Sequence, residues 1–306
     1  MTLAATAFNQ IIIMFILIMV GMISYKLKLI NNETNKKLAD LVLLLVNPVV
    51  IVISFQRKFE ASLLSGLLIS FVLAVATHMV AILLSRIILR KKGEELAIER
   101  FAIIYSNCGF IGIPLVNGIF GSEGVFYLTA YMTVFNLVVW THGMVSMSGE
   151  YNKKTIGKAI LSPSVLATFL GFFLFILRIT LPEIVIRSAG YIGDMNTPLA
   201  MMVAGATISQ TNMFKAFKKV RVIYITIIKQ LVIPIGMLFI FRLFPIPDIV
   251  IQTSILACTC PTAVTISLFA LRYDKNYLYA SELFAVTTIL SLITIPLVMA
   301  LANFIV

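Results

Sequence analysis

Apolar residues come in long runs along this chain, with short polar clusters between them. Ten runs can be marked, at 5–25, 36–55, 62–86, 101–120, 123–147, 158–178, 184–210, 221–242, 247–270 and 276–304. Each approaches or exceeds the about 20 residues an α-helix needs to cross a bilayer. The pattern predicts an all-α polytopic membrane protein with ten transmembrane helices. The first run, Ala5 to Tyr25, has no basic stretch ahead of it and is long enough to span, so it reads as a helix and not as a cleavable leader. Two runs are less uniform. The fourth holds Asn107, Gly109, Gly112 and Pro114, with Gly118 and Gly121 at its end, and the ninth holds Thr259, Pro261 and Thr262.

Composition agrees with the pattern. Of 306 residues, 60% are apolar and 12% charged, and the mean hydropathy is +1.03. A soluble domain is about 45–50% apolar and about 25% charged. A soluble enzyme, a disordered chain and a secreted disulfide scaffold are therefore excluded. Cys108, Cys258 and Cys260 lie in apolar runs without zinc-ligand spacing, so they read as small apolar residues.

The net charge of +11 comes from 24 Lys+Arg against 13 Asp+Glu, and its placement changes its meaning. Eighteen of these cations fall in the first inter-run loop and every second loop after it, among them Lys36, Arg86, Lys91, Lys92, Arg100, Lys153, Lys154, Lys158, Lys219 and Arg272. The opposite side has five, Arg57, Lys58, Arg178, Arg187 and Arg242, and Lys229 lies inside the eighth run. Cytoplasmic loops are enriched in Lys and Arg. The expectation is a multi-pass cell-membrane protein with both termini outside the cytoplasm. The basic excess is then a topology signal, not a nucleic-acid footprint.

Landmarks recur at an offset of about 150. Gly21 and Pro48 are 27 apart, as are Gly171 and Pro198; Pro48 to Pro114 is 66, and Pro198 to Pro261 is 63. Asn47-Pro48 matches Asn196-Thr197-Pro198. The expected organisation is a five-helix unit over 1–150, duplicated over 151–306. Five is odd, so the second copy enters upside down, as in many secondary transporters.

Chemistry is sought where apolar regularity fails. Pro114 leaves the carbonyl of Phe110 without its helical donor, and Pro261 does the same to Ala257. In hydrocarbon, broken helices survive only inside protein or around water. Half-helix N-termini suit an anion. A packing kink would leave the same prolines, but two breaks related by a repeat favour a binding site.

Other polar groups stand inside the runs. Lys229 is about eight residues deep, and Glu282 about six residues deep from the same face. A Lys229–Glu282 pair is one reading; an anion-attracting or proton-coupling role for Lys229 is the other. Asp194 reads as a coupling carboxylate or a local cap. Asn136 and Asn47 could contact substrate or bind a neighbouring helix. His78 and His142, nearer helix ends, read as structural or exposed, and Trp140 as a packing or interfacial residue.

The stretches NCGFIGIPLVNGIFGSEGVFYLTAYMTVFNLVVWTHG (107–143), NTPLAMMVAGATIS (196–209) and CPTAVTISLFALRYDKNYLYASELFAVTTILSLITIPLV (260–298) resemble the auxin efflux carrier family in its bacterial form. The resemblance runs over the whole chain and implies a fold like that of the bile-acid/sodium symporters. It implies a 5+5 inverted repeat whose fourth and ninth helices are broken and cross at proline. Segments 1, 2, 6 and 7 would form a scaffold, through which two copies dimerise, and segments 3–5 and 8–10 a mobile transport domain. The implied function is alternating-access transport of small organic anions, mono- or dicarboxylates of the malate or auxin kind, in an elevator motion. The crossover positions carried over are Asn107, Gly109, Gly112 and Pro114, then Cys260 and Pro261, with Thr259 and Thr262 beside them. The second crossover is poorer in glycine and has no Asn. The long mid-chain loop of the plant carriers is absent.

No cofactor or metal is expected. A sodium symporter of the bile-acid type is the alternative, although the crossover has no acidic cluster to hold sodium. A membrane-embedded enzyme would need a nucleophile–base pair or a metal motif, and none is present. A sensor that binds without transporting is a third possibility.

Overall fold

The computed structural model describes residues 3–90, 93, 95–149 and 161–306. Lys91, Lys92, Lys153, Lys154, Lys158 and the 150/151 boundary of the two expected units lie outside the described residues, so the charge bias is drawn only in part.

Helix falls on every apolar run. α1 is Leu3–Lys26, α2 Asn32–Ser54 and α3 Ala61–Ile88. α4, Leu96–Ile104, is followed after three residues by α5, Cys108–Ser148, which bends at Gly121. α6 is Pro163–Ile176, α7 Glu183–Asp194, α8 Asn196–Ile208 and α9 Met213–Lys218. α10 is Val220–Arg242, α11 Asp248–Thr259, α12 Thr265–Arg272 and α13 Tyr277–Ile305. Among the described residues, six helices (within α1, α2, α3, α5, α10 and α13) are long and apolar enough to cross a membrane. The only strand-like feature among them is one isolated antiparallel bridge, Ser106 with Thr262.

Proline explains most departures from regular helix. Three π turns, Val42–Val46, Cys108–Gly112 and Ile228–Val232, end two residues before Pro48, Pro114 and Pro234. Proline has no N–H for the carbonyl four residues back, and its ring crowds that carbonyl. Those carbonyls belong to Leu44, Phe110 and Gln230, the middle residue of each π turn. The wider turn gives the ring room. Pro198 acts differently. The carbonyl it cannot bond is that of Asp194, where α7 ends and α8 begins. The seventh run, expected as one span over 184–210, is therefore two helices.

The outside is apolar, as hydrocarbon requires. Ile12, Ile16, Met19 and Ile23 are exposed along α1, and Leu68, Val72, Met79 and Leu83 along α3. Inside, α1 runs against α8 with almost no separation. A side chain at Gly21 would collide with the backbone of Met202, and one at Gly205 with the carbonyl of Ile18. Small residues allow such backbone approach in membranes, where packing rather than water drives association.

Gly205→Val is therefore expected to destabilise the purified protein by about 1–3 kcal/mol, read as a lower unfolding temperature in detergent. Gly236→Ala, where an added methyl meets open space, is expected to leave that temperature unchanged within a degree or two.

Candidate functional site

α4 ends at Ile104, and the backbone turns extended at Tyr105 (φ −101°, ψ 116°) before helix resumes at Cys108. α11 ends at Thr259, Cys260 is extended (φ −49°, ψ 148°), and helix resumes at Thr265. The two interruptions pair with each other. The Asn107 N–H donates to the Pro261 carbonyl at 2.8 Å, and the Ala263 N–H donates to the Tyr105 carbonyl at 2.9 Å. The first interruption thus lies upstream of the position Pro114 alone suggests. Its location is fixed by this pairing, while Pro114 sits inside helix behind its π turn and its carbonyl accepts from Gln10 Nε2 at 3.2 Å.

The pairing brings several predicted residues together. Gly112 lies beside Cys260: a methyl added there would stand 3.6 Å from its sulfur. Gly109 accepts from Asn47 Nδ2 through its carbonyl at 3.4 Å. Asn196 Nδ2 donates to Asn47 Oδ1 at 2.6 Å. The Thr262 N–H donates to Thr287 Oγ1 at 3.2 Å, which ties the second interruption to α13. Asn107 is buried, and its Nδ2 finds no partner among the described residues. The Thr262 hydroxyl and Asn196 Oδ1 are likewise buried without partners. Unmet polar groups in so dry a region are costly unless something else bonds them.

Lys229 is 1% exposed, and its Nζ donates to Ser106 Oγ at 2.5 Å. Ser106 in turn donates to the Cys258 carbonyl at 3.1 Å. Among the described residues, no carboxylate pairs with Lys229. The expected Lys229–Glu282 pair is not formed. Glu282 pairs with Lys219 at 2.5 Å. Lys219 stands just ahead of α10, and Lys229 is ten residues on, about 15 Å deeper along the helix. Glu282 is five residues into α13, only about 8 Å from its start, and so is matched in depth to Lys219.

Other predicted residues stand apart. Asp194 is exposed at the end of α7 and lines a small cavity of about 130 Å³ with Ser54, Asn117 and Ser122. Asn136 Nδ2 donates to the Met132 carbonyl of its own helix. His78 is buried against the Ala74 carbonyl, and Trp140 packs edge-on against Phe269. The sequence reading did not single out Ser106, Gln10 or Thr287. A lone hydroxyl or amide in an apolar run carries no signal of what it faces.

A family model described as "Membrane transport protein" matches residues 6–299. An uncharacterized transporter of Methanocaldococcus jannaschii is 24% identical over 303 residues, covering 94% of this chain and 96% of its own. An uncharacterized transporter of Methanothermobacter thermautotrophicus is 24% identical over 296 residues, with 94% and 96% covered.

Asn47 holds both Gly109 and Asn196. Asn47→Leu removes two hydrogen bonds and leaves buried polar partners, so a loss of about 1–3 kcal/mol is expected, measured as a fall in unfolding temperature. Asn136→Leu, at a partly exposed amide bonded to its own helix, is expected to lower it less.

Proposed function

Since the chain belongs to the membrane transport protein family, the auxin efflux carrier family, we propose that it is a secondary active transporter of small organic anions. The substrate class is mono- or dicarboxylates of the malate or auxin kind. The observation that carries this is Lys229. A buried ammonium needs a partner or a task, and its neighbour here is a neutral hydroxyl. That hydroxyl sits within the paired interruptions, one residue from the unpartnered amide of Asn107. A carboxylate bound there would accept from Asn107 and be neutralised by Lys229, with Gly109 and Gly112 allowing close approach. Cys260, Pro261 and Thr262 would form the opposite wall.

We take the ten runs as ten spans in a 5+5 inverted repeat, with segments 4 and 9 broken and crossing. Several contacts support that reading. Asn47 and Asn196, matched landmarks of the two halves, touch each other. The two interruptions pair antiparallel. Gly21 faces Met202, and its counterpart Gly171 faces Phe55, which lies close to where the same offset would carry Met202. In this reading segments 3–5 and 8–10 move as a body against the scaffold of segments 1, 2, 6 and 7, in an elevator motion. Asn107, Lys229, Cys260, Pro261 and Thr262 are all buried, which fits an occluded intermediate of alternating access. A second copy would dock through the scaffold. There the apolar residues Leu44, Leu45, Leu166 and Leu170 border an open groove of about 510 Å³. The basic loops would face the cytoplasm, with both termini outside the cell membrane.

The test is uptake into proteoliposomes, using labelled malate and a panel of mono- and dicarboxylates. Lys229→Met and Asn107→Ala are each expected to weaken apparent affinity by about 30-fold or more, while the variants remain folded by thermal unfolding. Normal transport by both would overturn the site. Runs with and without sodium divide the coupling: sodium-independent uptake is expected, and strict sodium dependence would replace it with the bile-acid type of symport.

A further inference from the structure

Two cavities outside the paired interruptions are lined by cations. In one, of about 350 Å³, Arg57, Lys58 and Arg178 stand among Phe55, Phe59 and Phe175. Its guanidiniums are engaged. Arg57 donates to the Ser54 carbonyl and to Ser122 Oγ and stacks on Phe126, and Arg178 stacks on Phe59. The other, of about 300 Å³, lies between the end of α3, α4 and the end of α5, and is lined by Ser85, Arg86, Arg100, Thr141, His142 and Ser146 with two aliphatic residues. Among the described residues no carboxylate lines it, and Arg86 makes no hydrogen bond or ion pair. Arg100 donates through one Nη to the Leu89 carbonyl at 2.9 Å, but its Nε is buried without a partner.

Two of the three hydroxyls there are already committed as donors. Ser85 donates to the Ile82 carbonyl and Thr141 to the Leu137 carbonyl, both in their own helices. The remaining donors are thus the guanidiniums, the Ser146 hydroxyl and, in the tautomer that carries Nε2–H, one ring nitrogen of His142. His142 Nδ1 and the Tyr105 hydroxyl are 2.8 Å apart. The Tyr105 hydroxyl is also 3.3 Å from the Val138 carbonyl, so its one proton serves one partner or the other, and an acceptor at Nε2–H selects the tautomer in which Nδ1 accepts from Tyr105. Two cationic forks and a ring N–H around a space ten times the about 30 Å³ of one water suit a planar or tetrahedral oxyanion.

We propose that this pocket is a second anion site, separate from the paired interruptions, that binds a phosphate or carboxylate group between Arg86, Arg100 and His142. It reaches the interruptions through one residue. Tyr105 carries both the hydroxyl that meets His142 and the carbonyl that accepts from Ala263. An anion held here therefore bears on the segment that the transport reading assigns to substrate. The site itself does not depend on that reading, since its donors come from other residues.

Two sources supply such a group, a free anion and a lipid headgroup, and the experiment separates them. Full-length protein in lipid-free detergent is titrated with inorganic phosphate by calorimetry. The same protein, in nanodiscs of phosphatidylcholine with or without phosphatidylglycerol, is examined by native mass spectrometry for retained lipid. The expected result is that Arg86→Gln/Arg100→Gln weakens phosphate binding about tenfold or more, while Asn107→Ala leaves it unchanged. Retention of phosphatidylglycerol that is lost in the arginine variant, without phosphate binding, assigns the pocket to a headgroup and also supports it. If the double variant does not fold, Ser146→Asp places a carboxylate in the pocket and is expected to have the same effect. Phosphate and lipid binding that ignore both variants, or that are lost with Asn107→Ala instead, would overturn the proposal.

Discussion

Inside a bilayer no water meets an unpaired peptide group, so a chain that leaves helical geometry there must find its hydrogen bonds within the protein. This constraint governs the centre of the molecule. Tyr105–Asn107 and Pro261–Ala263 each leave helix, and each supplies what the other lacks. Together they make a short antiparallel patch whose surroundings, α5, α10, α11 and α13, are packed tightly enough to exclude solvent. A charge and several unbonded amides and hydroxyls then sit where their cost is greatest. These are the groups that the transport reading assigns to substrate.

The basic face is organised differently. Glu99 takes two bonds from Arg221 at 2.6 Å each and a third from Tyr279 at 3.1 Å, and Glu282 takes Lys219. These pairs join α4, α10 and α13 near their ends. Their charges are matched and partly wet. Lys229, deep on the same α10, is matched by nothing ionic among the described residues. The contrast along a single helix separates an ion pair that fastens helices from a cation left available.

Much of this was legible in the sequence because the governing physics is local. Run length and composition marked the helices, and proline marked where their ladders fail. Asn47 and Asn196, read in the sequence only as matching landmarks of a repeat, touch each other in the fold. What stayed hidden was tertiary. Glu282 and Lys229 stand at similar depths when counted from run boundaries, and only the true helix starts show that Glu282 is level with Lys219. The first interruption was expected within Asn107–Pro114 and lies at its upstream edge, over Tyr105–Asn107. Proline there widens one turn, while the extended segment sits where a partner strand of three residues can reach it. Ser106 gave no sign of its role, since one hydroxyl in an apolar run can equally bond its own helix.

The contact between Asn47 and Asn196 has one further implication. A single bond between two like amides has a direction: here Asn196 gives the proton and Asn47 receives it, with Asn47 spending its own N–H on Gly109. Two residues related by a half-turn cannot both be donors through one bond, so this pair would break the symmetry of the inverted duplication that the transport reading supposes. Turning the arrangement over would exchange the two roles and hand the carbonyl contact to the other half. The polarity of one amide pair would then distinguish one orientation of the molecule from its inverted counterpart in the membrane.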